Sequence, residues 1–424
     1  MLFWRRFPPI YYGWIVVAAA FVEHVVSVGT FNSQGVFLKP ILADFGWDRA
    51  TVSGAFALAN LVSGLSSPFT GMLLDKYGPR VLLLGGGLTL AASYWLTSRA
   101  GTLVQFYVFI IVFQGIGRSA ISSGIIPVIP RWFEGKRGLT QGLVQAGGGL
   151  GTVLVPPLAT FLVFSLGWQD AFVALGLAIA LAYMVLSRII RRGPEELGLR
   201  REGSGGPTAH PSGSRKRELG KPPAASFTFR QAMRTRALWQ FAIIGVAVSF
   251  SQLLVMTHLV ADATDQGISP VQAATFLSMV GISNMVGKLV MGPVSDRIGR
   301  RASMTISFAL AGAMLLWLMA ARDAWSFYVF ALIFGFGYGS WMPMFPSLTA
   351  DLFGVGSLGA VYGIVRASTS LGGALGSYAG GIIFDMTQSY NYAFLTGTVL
   401  LVLGIVLMVT LKRPAAPGPV SQPG

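Results

Sequence analysis

Three cations, Arg118, Lys288 and Arg366, stand inside stretches made otherwise of apolar and small residues. A cation at membrane depth costs about 3 kcal/mol to insert, so it is turned toward water or toward a partner. Three of them imply a negatively charged visitor; the other reading is neutralisation by structural carboxylates. On a helix, Lys288 shares a face with Gly281, Asn284 and Gly292 at spacings of three and four, a narrow polar stripe suited to line a cavity. Asn284, one turn from the ammonium, would serve as a neutral hydrogen-bonder or simply pack. Arg118 falls on a face with Gln114 and Ser122, and Arg366 on a face with Tyr362 and Ser370. Two or three cations around one cavity fit a dicarboxylate, or one carboxylate plus a carboxylate of the protein such as Glu23.

Proton chemistry has few candidates. Glu23 lies in the middle of the first apolar run, with Ser27 and Thr30 on its face and His24 beside it. It either exchanges a proton or neutralises Arg118 or Arg366. His258 shares a stripe with Ser251, Asp262 and Asp265, and a lone histidine is either a satisfied structural residue or part of a site. Asp265, near the end of its run, either carries a coupling proton or is merely solvated.

Elements that can hold such residues follow from composition. Of 424 residues 53% are hydrophobic and 11% charged, and mean hydropathy is +0.64, which excludes a water-soluble chain. At roughly 20 residues per spanning helix, about twelve spans use nearly the whole length. With no cysteine, disulfides, thiolate metal sites and cysteine nucleophiles are excluded. The 3 histidines are too far apart in sequence to suggest a zinc or haem centre, and no cofactor is expected.

Twelve apolar runs, from 12–31 to 390–411, divide six and six around a break. The first follows "MLFWRRF" and is too long, without a small-residue cleavage site, to read as a removed signal, so it is expected to stay as a span. The net charge of +15 reports orientation and not nucleic acid. If both ends face the cytoplasm, most Lys and Arg fall on that side, leaving Lys39, Arg49, Arg99 and Arg322 outside. The expected organisation is a six-helix bundle over 1–190, a mobile cytoplasmic linker rich in Gly, Ser, Pro and basic residues over 191–236, a second bundle over 237–413 and a disordered tail over 414–424.

The halves repeat. Gly71, Asp75, Gly78 and Arg80 ("GMLLDKYGPR") match Gly292, Asp296, Gly299 and Arg301 ("GPVSDRIGRR"). Gly115 and Gly117 match Gly335 and Gly337, which sets Arg118 against Tyr338. Gly138, Gly142 and Gln145 match Gly359, Gly363 and Arg366. Duplicated six-helix halves are the signature of a transporter that rocks one half against the other around a midplane site. Asp75 with Arg80, and Asp296 with Arg301, are expected to act as gating elements that break and re-form as one side opens. The runs 147–151 and 372–376 read as small-residue helix contacts that slide during rocking.

The twofold G-x-x-x-D-x-x-G-x-R pattern resembles the loop motif of the major facilitator superfamily. "YYGWIVVAAAF" (11–21), "RWFEGKRGLTQGLVQAGGGLG" (131–151), "HLVADATDQGIS" (258–269) and "GKLVMGPVSDRIGRR" (287–301) resemble its monocarboxylate and oxalate/formate branch. The resemblance implies an all-α membrane fold of twelve transmembrane helices in two pseudo-symmetric bundles. It further implies a principal carboxylate-binding cation at Lys288, where relatives carry arginine, a substrate-facing histidine at His258 and an aspartate at Asp265. A lysine offers a point charge and no bidentate fork.

The expected function is transport of a small organic anion, a monocarboxylate such as lactate, pyruvate or acetate with a proton, by alternating access. Lys288 would bind the carboxylate, steadied by Asn284, His258 and Tyr338, with Arg118, Arg366 and Gln145 lining the same site and Asp265 or Glu23 taking the proton. Carboxylate exchange is the nearest rival. An exporter of cationic drugs would want buried carboxylates instead. No H-E-x-x-H, G-x-S-x-G or P-loop pattern points to an enzyme. The expected partners are the carboxylate, the proton and the lipid of the inner (cell) membrane, and the default oligomeric state is a monomer.

Overall fold

The computed structural model describes residues 11–202 and 227–414. Its long helices follow the apolar runs. In chain order they are α1 (Tyr12–Phe45), α2 (Thr51–Leu65 with Ser67–Tyr77), α3 (Pro79–Ser98), α4 (Leu103–Trp132), α5 (Arg137–Leu166) and α6 (Trp168–Ile189). After the linker come α7 (Arg236–Asp265), α8 (Pro270–Ile298), α9 (Arg300–Ala320), α10 (Ala324–Phe353), α11 (Leu358–Thr387) and α12 (Asn391–Thr410). Among the described residues 10 helices are long and apolar enough to cross a membrane, and 11 when the two parts of α2, bent by 48°, are taken as one span. The remaining long helix, α11, has 30 residues and is rich in Gly and Ser. The chain is a multi-pass membrane protein.

The ends of these helices are written in local sequence. Side chains of Asp48, Thr102, Thr235, Ser269 and Asp323 accept from backbone amides three residues on and cap α2, α4, α7, α8 and α10. The turns α2–α3 and α8–α9 pass through Gly78 at φ 79° and Gly299 at φ 90°, a conformation L side chains rarely adopt. These are the repeat-matched second glycines of the two G-x-x-x-D-x-x-G-x-R copies. α1 runs past the apolar run at 12–31 as far as Phe45, because Ser33 interrupts it without ending it. In α4 the stretch Phe109–Gln114 is wound as a π-helix one turn before Arg118.

Each half buries its own apolar core. One cluster joins Val16, Leu83, Phe106, Trp132 and Tyr183, the other Phe241, Phe276, Phe308, Phe330 and Phe394. Large apolar side chains such as Phe69, Phe161 and Phe164 face outward, as they must where lipid is the solvent.

The linker is more ordered at its ends than its composition suggests. Residues 194–197 form a 3-10 turn, and Glu202 exchanges backbone hydrogen bonds with Trp132 and Glu134. The Tyr11 hydroxyl lies 2.9 Å from Trp132 O and 3.0 Å from Arg200 O, to which it donates. Burial pushes this phenol up to about 12, so it is a donor throughout the neutral range. At the far end Phe227 N donates to Phe353 O, and Phe229–Met233 forms a helix with a Thr228 capping box. The middle of the linker, 203–226, the tail from 415 and the first ten residues, with Arg5 and Arg6, lie outside the described residues.

Candidate functional site

The two halves meet along two helix pairs, α2 with α11 and α5 with α8, and these contacts draw together the repeat-matched glycines. Gly71 lies against Gly359 and Gly138 against Gly292; a Cβ on Gly292 would stand 2.6 Å from Gly138 O, and one on Gly359 2.6 Å from Gly71 O. One helical turn on, Asp75 accepts from the amides of Gly359 (3.1 Å) and Ala360 (2.9 Å) at the start of α11. Asp296 accepts from Gly138 (2.9 Å) and Leu139 (3.0 Å) at the start of α5. Each carboxylate therefore neutralises the positive end of a long helix belonging to the other half. The two junctions are images of each other under the sequence repeat.

The arginine partners differ from the sequence expectation. Asp75 pairs with Arg131 (2.7 Å) and not with Arg80, and Asp296 pairs with Arg300 (2.9 Å) and not with Arg301. Arg80 and Arg301 follow the turn glycines by two residues, and among the described residues neither forms an ion pair with these carboxylates. Arg192 of the linker donates to Asp75 O. The repeat position of Arg131 holds Asp351, which bonds Arg300 (2.7 Å) and, across the halves, Arg137 (2.6 Å). All of these groups lie on one face, that on which the described chain begins at Tyr11 and on which its end, past α12 at Arg413, lies beside Arg300 and Asp351. Arg131, Arg137, Arg300 and Asp351 are the members that sequence reasoning did not single out, although the first two belong to the quoted "RWFEGKR" run.

Among the described residues none of the three intramembrane cations has an ion-pair partner. Lys288 is half-buried on α8, where its backbone carbonyl faces Gly142 of α5, and its ammonium makes no hydrogen bond to any described residue. Asn284, one turn earlier, is 8% exposed, and its side-chain Nδ2 also has no acceptor. Arg366 of α11 reaches only the Ser63 hydroxyl of α2, at 3.5 Å. Arg118, 7% exposed, makes one long bond from Nη1 to Ser27 O at 3.4 Å and lies 4.9 Å above the Phe31 ring, while Nε and Nη2 are buried without acceptors.

Glu23 is buried to 1% exposure and is held by residues next to it: Tyr183 donates at 3.3 Å and His24 Nδ1 lies 2.8 Å away. Of the two readings of this carboxylate, direct pairing with Arg118 or Arg366 is not formed among the described residues, though Arg366 lies within the electrostatic reach of both Glu23 and Arg118. Tyr94 and Tyr183 flank Arg118; neither tyrosine carried a sequence signal beyond its place in an apolar run. Gln145 is buried on α5. Tyr338 lines a cavity of about 10 Å³ inside the second bundle, beside Ser251, Gln252 and Trp341.

Among the described residues His258 and Asp265 make no hydrogen bond or ion pair with Lys288 or Asn284. The His258 ring shares a 2.9 Å hydrogen bond with Ser377 O, tilts against Tyr390 at 5.1 Å and fills the notch left by Gly380. These are the contacts of a packed histidine. Asp265 is the exposed last residue of α7.

Comparison with known proteins agrees with this architecture. The family model described as Major Facilitator Superfamily matches residues 20–287 and 255–424. Curated relatives include monocarboxylate transporter 13 of Rattus norvegicus, 27% identical over 405 residues (95% of this chain, 89% of that protein). Another is monocarboxylate transporter 2 of Homo sapiens, 25% identical over 421 residues (95% and 87%). Among solved structures, the human organic anion transporter MFSD10 superposes with a TM-score of 0.72 at 16% identity, covering 95% of this chain and 100% of that one. The E. coli fucose:proton symporter superposes with a TM-score of 0.71 at 12% identity, covering 96% and 100%.

Proposed function

Since the chain belongs to the major facilitator superfamily and is a membrane transporter with monocarboxylate transporters among its relatives, we propose that it carries a small monocarboxylate of the lactate, pyruvate or acetate kind together with a proton. One observation supports the reading: Lys288 and Asn284, one turn apart on α8, whose backbone packs on α5 at the junction of the halves, carry donors for which the described residues offer no acceptor. A carboxylate supplies what both lack, a negative charge and lone pairs.

In the proposed cycle the acid binds Lys288 and Asn284 while a proton is taken by Glu23 or Asp265. Neutralised cargo lets the halves rock. The carboxylates Asp75 and Asp296 then leave the helix ends of α11 and α5, and the face with the chain ends opens. The basic excess on that face makes it the cytoplasmic side of the cell membrane.

Uptake of labelled lactate, pyruvate and acetate into proteoliposomes, with and without an inward proton gradient, tests this. Saturable flux that the gradient accelerates is expected; no carboxylate flux in either condition defeats the proposal. Glu23→Gln and Asp265→Asn separate the proton candidates, since only the carrier's loss uncouples flux from the gradient. Exchange of one carboxylate for another is a second reading, supported by the excess of unpaired cations over Glu23, and it predicts flux that needs internal carboxylate and ignores the gradient.

A further inference from the structure

We propose that a basic pocket at the ends of α8, α9, α10 and α12 binds the phosphate of an anionic membrane lipid, whose chains lie along the lipid-facing sides of α9 and α12. The site does not use Lys288, and the inference holds whatever the cargo is.

The pocket has a volume of about 460 Å³, and Arg300, Arg301, Ala302, Asp351 and Arg413 are among the residues that line it. Its charges do not balance. Asp351 is shared between Arg300 (2.7 Å) and Arg137 (2.6 Å), and Arg300 also reaches Asp296 at 2.9 Å. Two aspartates thus answer two arginines, and Arg301 and Arg413 are left over: among the described residues neither has an ion pair or a side-chain hydrogen bond. Arg300 Nε is buried without an acceptor as well. The backbone adds to the same potential, because α9, a helix of 21 residues, starts here after Gly299 with no side chain capping its first amides. A phosphate offers oxygens to both an arginine fork and a helix start.

What adjoins the pocket favours a lipid over a dissolved anion. Ala302, one of the lining residues, begins an exposed stripe on α9 that continues through Ile306, Ala313 and Trp317 at helical spacing. On α12 a second exposed stripe runs through Val402, Val406 and Val409 and stops one turn before Arg413. The two helices are neighbours, with Leu401 of α12 against Gly312 of α9. The arginines therefore stand where two outward apolar stripes reach the helix ends, the depth at which headgroups lie. A soluble anion would engage the arginines alone, whereas a phospholipid engages the arginines with its phosphate and the stripes with its chains. Arg301, which forms no pair with the carboxylates at the junctions of the halves, thereby gains a partner outside the protein.

The test is the melting temperature of the purified full-length protein in dodecyl maltoside, at constant pH and ionic strength, titrated with dioctanoyl phosphatidylglycerol, dioctanoyl phosphatidylcholine or inorganic phosphate. Phosphatidylglycerol is expected to raise the melting temperature at a concentration at least about fivefold below that of phosphatidylcholine. Arg301→Gln with Arg413→Gln is expected to lose that preference, and Arg301→Lys with Arg413→Lys to keep it. Lys76→Gln with Arg188→Gln removes the same charge from exposed positions at the same side of the other half and is expected to leave the preference whole. Equal responses to the two lipids overturn the site, as does a preference that survives the Arg301 and Arg413 substitutions to Gln. A preference lost to the same degree on substituting Lys76 and Arg188 also overturns it, since that is attraction to net charge and not to a pocket. Inorganic phosphate acting at the same concentration as phosphatidylglycerol overturns the lipid as occupant. Should the paired Gln variant fail to fold, Arg413→Gln alone, exposed beyond the end of α12, is read instead: a reduced preference is expected, and an unchanged one overturns the site.

Discussion

Lys288 meets its cargo as a point charge, so its removal and its replacement should differ in kind. Taking away one partner of a desolvated charge pair costs roughly 2–5 kcal/mol. Lys288→Gln is therefore expected to weaken carboxylate binding by at least about 30-fold, read as the concentration of acid that half-maximally stabilises the purified protein. Lys288→Arg keeps the charge, adds a fork and is expected to retain binding while reordering preference among acids. Undiminished stabilisation of the Gln variant by the same acid would move the anchor to the arginines. Tyr11 makes a smaller claim. Its shared hydrogen bond to Trp132 O and Arg200 O pins the linker's first turn, and losing it should cost about 1 kcal/mol. Tyr11→Phe is thus expected to speed tryptic cleavage after Arg200 several-fold. A phenol raised to about 12 favours the neutral form in the folded state. Its contribution is complete below the ordinary tyrosine value near 10 and fades only as pH climbs toward 12, so the wild-type cleavage rate should not change with this group's titration between pH 6 and 9.

At the scale of elements, the junctions of α2 with α11 and α5 with α8 depend on backbone touching backbone. A side chain on Gly71 would run into Gly359 O, and one on Gly138 into Gly292 O. Gly71→Val and Gly138→Val are therefore expected to fold, since each half has its own core, yet to hold the face with the chain ends apart. The absence of cysteine makes the measurement direct. Paired cysteines on Tyr77 and Ser357, spin-labelled, should report a longer distance in the Gly71 variant than in its parent. An unchanged distance would mean that the junction does not control opening.

For the whole molecule the relevant quantity is the balance between two arrangements of the halves. Asp75 and Asp296 each join a helix end of the other half, and Arg137 reaches Asp351 across the same divide. Carboxylate–helix-end contacts contribute on the order of 0.3–2 kcal/mol each. Asp75→Asn with Asp296→Asn should then shift the closed-to-open ratio by roughly threefold or more, seen as broader label distances and as loss of gradient-driven accumulation. Charge-conserving exchange of the arginines that the sequence pointed to, Arg80→Lys and Arg301→Lys, should move the distances far less than Arg131→Lys or Arg300→Lys.

Much of this protein was legible in one dimension. Apolar run lengths fix twelve long helices because lipid forces every backbone polar group into helical bonds, and the repeat of Gly71–Asp75–Gly78 at Gly292–Asp296–Gly299 announced two like halves. Glycine at both turn positions accommodates the positive φ of Gly78 and Gly299, which the repeat itself did not announce. Periodicity along a single helix also grouped Lys288 with Asn284 and gave Glu23 its neighbour His24. What it left open was every choice of partner between helices. Asp75 took Arg131 and not Arg80, Glu23 took Tyr183 and not an arginine, and His258 packed against Ser377 and Tyr390. Spacing along a chain states which side of a helix a residue occupies. Only the crossing of one helix against another decides what stands opposite, because that depends on the shapes of all the residues between them.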